Sequence, residues 1–80
     1  MRVTSTVEAR RLVRARGGTL YVTLGADGDA RISTKAPAEA VDTDGFDGGG
    51  YLVVLDRRLE RPRALHVRVV EGELAVHMAR

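Results

Sequence analysis

Two histidines near the end of the chain are the residues best spaced to share a ligand. In "ALHVRVVEGELAVHM", runs of alternating apolar and polar residues flank Glu71-Gly72, and a two-residue turn there fixes the register of a β-hairpin. Val70 then pairs with Glu73, Val69 with Leu74, Val67 with Val76 and Leu65 with Met78, so that one face is wholly apolar. The same register sets His66 opposite His77 on the other face, beside Arg68 and Ala75. Directly opposed residues carry Cβ atoms about 5 Å apart, which makes His66 and His77 candidate metal ligands. Zinc takes three or four protein ligands, and Glu73 lies too far along the strand to complete the sphere easily, although a second copy of the chain could supply two more imidazoles. The pair also reads as two surface histidines on a polar sheet face, or as a contact that responds to pH near neutrality.

Carboxylates offer a second chemistry. The segment "DTDGFDGGG" places acids at alternate positions with a turn glycine, which suits a hard cation. Counted from Asp42, however, the fifth position is Phe46, the sixth is Asp47 where a calcium loop needs glycine, and the twelfth is Val53 where it needs glutamate. Asp42, Asp44 and Asp47 therefore read as a solvated acidic loop anchored by Phe46, or as a surface for a partner. The glycines that follow do not make a phosphate cradle, because the aspartates would repel the anion and the next segment reads as strand.

Arginines offer a third. Arg57, Arg58, Arg61 and Arg63, with Arg10, Arg11 and Arg14 near the N-terminus, could contact phosphates. No RNA-module pattern accompanies them, since the aromatics are Tyr21, Phe46 and Tyr51 with no pair spaced for base stacking. Twelve of the thirteen cations are arginine, as GC-rich coding would produce without any phosphate to bind. Residues 1–35 carry seven cations against three anions, residues 36–50 four anions and no cation, and residues 51–80 six cations against four anions. An acidic middle with basic flanks could self-complement within one fold or between two copies.

Catalysis is not expected. No nucleophile sits beside a base, and no carboxylate pair marks a pocket. The chain has no cysteine, which excludes thiolate chemistry, zinc fingers and cysteine-held clusters carried by this chain alone. No cofactor is expected either.

The elements that must position these residues follow from periodicity. Ser5 and Glu8 match a capping box, Val7, Ala9, Leu12 and Val13 form an apolar stripe, and Gly17-Gly18 ends a helix over residues 6–16. "TLYVTL" alternates as a strand, Asp27-Gly28 makes a turn, and residues 30–35 return as a second strand. Residues 36–50 lose all periodicity and read as a long loop. "YLVVLD" reads as a central strand covered on both faces, and residues 57–63 as a basic connection. The expectation is a single α+β domain over residues 1–80, one short N-terminal helix packed on a mainly antiparallel sheet of about five strands. Eighty residues bury a small core, and domains of this size often gain stability by self-association. No apolar run reaches the roughly 20 residues that span a bilayer, and "MRVTSTVEARRLV" lacks a signal peptide's apolar stretch, so the cytoplasm is the expected compartment.

The order "VTSTVEARRLV", "LYVTL" and "GGGYLVVLDRRL" resembles that of HesB-like (A-type) iron–sulfur carrier proteins over most of the chain. That family carries one cysteine after an early strand and a pair near the C-terminus, where this chain reads "HMAR", so no functional residue is carried over. The resemblance implies a cysteine-free offshoot with another role and a more β-rich fold. Together the residues favour a non-catalytic, self-associating interaction module whose partner is a protein or a second copy. Its recognition surface would be the acidic 42–47 segment or the basic 57–63 stretch. The alternatives are a metal- or cluster-related protein built on His66 and His77, and a weak nucleic-acid binder through arginine.

Overall fold

The computed structural model describes residues 1–79. Its elements run β1 (Arg2–Ser5), α1 (Val7–Ala15), β2 (Thr19–Leu24), β3 (Ala30–Ser33), β4 (Thr43–Asp47), β5 (Leu52–Asp56), β6 (Ala64–Val70) and β7 (Glu73–Ala79). They form two mixed sheets. In the three-stranded sheet, ordered β1-β6-β7, β1 is parallel and β7 antiparallel to β6. In the four-stranded sheet, ordered β3-β2-β5-β4, the central strands β2 and β5 are parallel and each edge strand is antiparallel to its neighbour.

This overturns the expected helix on a mainly antiparallel sheet of about five strands. Over the described residues the fold is mostly β, with seven strands and one nine-residue helix. Two strands account for the difference in number. β4, "TDGFD", is poor in β-forming residues, but its partner β5 enforces extension by setting Phe46 opposite Val53 and Gly45 opposite Val54. β1 is four residues long and pairs in parallel with a strand about sixty residues further on, Thr4 opposite His66 and Ser5 opposite Val67. Neither pairing leaves a local signature.

The segments with a clear period behave as their patterns dictate. The β6–β7 register is the one derived from the sequence, His66 opposite His77 included. Its turn places Glu71 and Gly72 at φ 51° and 79°, the left-handed pair of a type I′ hairpin. The helix starts one residue later than the capping box implies: Thr6 Oγ1 accepts from the Ala9 amide at 3.1 Å. Ser5 is thereby free for another task. β5 is central, as its apolar run suggests, but Leu52 is 46% exposed, so its faces are not both covered.

One core joins the layers. Leu65 and Val67 from the first sheet meet Leu20, Val22, Val53 and Leu55 from the second, with Ala9 and Val13 of α1 and Tyr51 closing it. Asp56 is the one buried charged side chain among the described residues. It accepts from the Leu24 amide at 3.1 Å, the Arg58 amide at 3.0 Å and Arg58 Nη2 at 2.7 Å. Those bonds tie β2 to the end of β5 and hold the carboxyl well below the usual carboxylate range, the Arg58 side chain contributing most. No helix among the described residues is long and apolar enough to cross a membrane.

Candidate functional site

The histidines lie in a row that crosses all three strands of the first sheet: Thr4 on β1, His66 on β6, His77 on β7. Thr4 Oγ1 and His66 Nδ1 are 2.8 Å apart, so one imidazole nitrogen of His66 is already engaged and Nε2 is left for any other partner. His77 is exposed at the end of the row. Among the described residues no group of three or more His, Cys, Asp or Glu side chains is placed to hold a metal, so one copy of the chain offers a pair and no third ligand. Glu73 leans the other way, 4.0 Å from Arg16 Nη1.

The acidic segment and the basic stretch meet each other. Asp44 accepts from Arg57 at 3.0 Å and from Arg61 at 2.9 Å, and the Arg61 guanidinium lies 5.2 Å from the centre of the Phe46 ring. Those arginines hold the Asp44 carboxyl below its ordinary value, Arg57 above all. Arg58 is paired with buried Asp56. Asp47 caps the turn that follows it, accepting from the Gly49 amide at 2.8 Å, and this bond keeps its carboxyl low. Of the residues singled out as a recognition surface, Asp42 and Arg63 alone have side chains without such a bond among the described residues; their backbones bond to the Arg57 amide and the Ala79 carbonyl. The acidic segment and the basic flank thus meet within one fold at Asp44.

Strand order exposes a feature that no residue pattern announces. The two sheets leave four edges, β1, β7, β3 and β4. Proteins protect such edges with short strands, charges, proline or covering side chains. β1 and β3 are four residues long, with Arg2 and Arg31 exposed on them. β4 carries Asp44, Gly45 and Asp47, with Arg57 and Arg61 bonded to it. β7 has none of these devices: seven residues, "ELAVHMA", without lysine, arginine or proline, its only acid at the first position. β3 approaches the start of β7, where Ile32, Ser33, Thr34, Glu73 and Leu74 line a small cleft of about 70 Å³. The two strands do not pair, so residues 75–79 keep an open edge. In a two-residue hairpin the residues flanking the turn form the first hydrogen-bonded pair, and such pairs alternate along the ladder. Leu74, Val76 and Met78 therefore turn their N–H and C=O groups away from β6, toward that edge.

Compared with models of known families, with curated proteins and with solved structures, the chain finds no match.

Proposed function

We propose that the protein is a non-catalytic interaction module that pairs with a second copy of itself through the free edge of β7. The observation that carries this reading is the contrast among the edges: three are short, charged or covered, and the fourth is long, nearly uncharged and bare. Self-pairing suits β7 because an antiparallel partner brings neutral residues against neutral residues, with no like charges opposed over residues 74–79. The result is a continuous sheet β1-β6-β7-β7-β6-β1 about a two-fold axis. It also adds buried area to a domain whose own core is small.

The test is the mass of the full chain in solution by sedimentation across a wide concentration range, for the parent and for His77→Lys. His77 is exposed, so lysine there leaves the core alone and places a solvated charge on the edge strand. The parent is expected to sediment as a dimer and the variant as a monomer with unchanged circular dichroism. A parent that stays monomeric at its highest concentration would defeat the proposal.

A second reading is favoured by the Thr4–His66–His77 row, which ends at that edge. Two-fold pairing of β7 about His77 extends the row into the partner and sets His66, His77 and the partner's His77 on three adjacent strands spanning about 10 Å, enough ligands for a zinc ion where one copy has too few. Zinc added in the same sedimentation experiment should then tighten the dimer, and His66→Ala should abolish that gain. Equal dimerisation with and without zinc would remove the metal from the account while leaving the edge pairing intact.

A further inference from the structure

The arginines that the sequence groups together are separated by the fold. Arg16, Arg31, Arg57, Arg58 and Arg61 each lie against a carboxylate, whereas Arg10, Arg11 and Arg14 have none among the described residues. These three share a cleft of about 210 Å³ between the outer face of α1 and the turn joining β4 to β5, completed by Val7 and Gly49. No acid lines it. Arg10 and Arg14 stand one helical turn apart and Arg11 is next to Arg10, so three guanidinium groups converge on one opening. Three like charges in one cleft repel, and a bound dianion relieves that repulsion.

The opposite wall lies in van der Waals range of them. Gly49 and Gly50 have φ of 94° and 100°, a backbone shape that side-chain-bearing residues rarely adopt. A Cβ at Gly49 would lie 3.5 Å from Arg10 Cδ, and one at Gly50 would lie 3.8 Å from Arg14 Nη1. The turn is also held in place. Gly48 N–H donates to the Tyr51 carbonyl at 2.8 Å, and Asp47 takes the Gly49 amide on its own carboxylate. Ser5 Oγ donates to the Gly48 carbonyl at 3.1 Å and shares a hydrogen bond with the Tyr51 hydroxyl.

We propose that Arg10, Arg11 and Arg14, facing the Gly49-Gly50 turn, form a binding site for a phosphate group, carried on a small ester or free. Guanidinium forks match phosphate oxygens in pairs, which a point charge does not. The cleft is several times larger than the roughly 30 Å³ share of one water, and smaller than the pockets of about 300–1,000 Å³ that enclose drug-sized ligands. It takes a phosphate and the first atoms of an ester, leaving the remainder outside.

The test is an NMR titration of the labelled full chain with inorganic phosphate, with phenyl phosphate and with a short single-stranded oligonucleotide, all at constant ionic strength. Saturable shifts of the amides of residues 10, 11, 14, 49 and 50 are expected with the first two probes, reduced about tenfold or more in affinity by the exposed pair Arg11→Ala and Arg14→Ala. Tighter binding of phenyl phosphate identifies an ester as the ligand, and equal or tighter binding of inorganic phosphate identifies the free anion; both support the site. Shifts that scatter over Arg63 and Arg68 as well, or that survive the double substitution, would overturn it. So would saturation by the oligonucleotide alone.

Discussion

Replacing Asp56 by alanine tests whether the buried carboxylate holds β2 to β5. The side chain is fully shielded and accepts from two backbone amides, Leu24 at 3.1 Å and Arg58 at 3.0 Å, and from the Arg58 guanidinium at 2.7 Å. Alanine removes every one of these acceptors. An amide left without a partner costs about 1–3 kcal/mol, and the lower end applies at Arg58, whose side chain is 54% exposed beside water. Its guanidinium is re-solvated once freed, so the ion pair itself adds roughly 1 kcal/mol or less. The sum is a loss of about 2–5 kcal/mol, set against a total stability of about 4–12 kcal/mol for a domain of this length. Urea unfolding followed by circular dichroism should show the midpoint falling, and thermal unfolding should drop by roughly 8–40 °C at about 4–8 °C per kcal/mol. A change worth less than about 0.5 kcal/mol, the size of an ordinary surface substitution, would refute the reasoning.

Two further predictions concern the same framework. Because folding lowers the Asp56 carboxyl's affinity for protons, its contribution is complete above the unfolded value near 3.9 and is lost as pH falls below it. The stability of Asp56→Asn should therefore fall less steeply with acid than the parent's, and parallel acid-unfolding curves would contradict the assignment. Gly48→Ala should destabilise by about 1–3 kcal/mol, because an added Cβ would lie 2.5–2.9 Å from the Tyr51 ring, whose place is fixed by Ser5; an unchanged urea midpoint would show that the ring can move aside.

What the sequence made legible was local. The β6–β7 register followed from a two-residue turn and a strict two-residue period, and with it the opposition of His66 and His77. The helix was placed to within a residue by its stripe and its glycine stop, although the cap proved to be Thr6 and Ser5 was drawn off to Tyr51 and Gly48. The missed strands depend on partners far along the chain: β4 on β5, and β1 on β6. The same distance in sequence hid the site. That Asp44 meets Arg57 and Arg61, and that Arg10 faces Gly49, are consequences of chain crossing that no spacing encodes. The bare edge of β7 is a property of strand order, and a hairpin strand reads identically at the edge of a sheet and at its centre.

The central claim, pairing through β7, is tested most directly by amide hydrogen exchange measured at low and high protein concentration. At low concentration the Val76 and Met78 amides, which point to the open edge, should exchange quickly while the inward amides of Ala75 and His77 are protected by β6. At high concentration Val76 and Met78 should gain protection and Ala75 and His77 should change little. Exchange at Val76 and Met78 that is fast and independent of concentration would contradict the account.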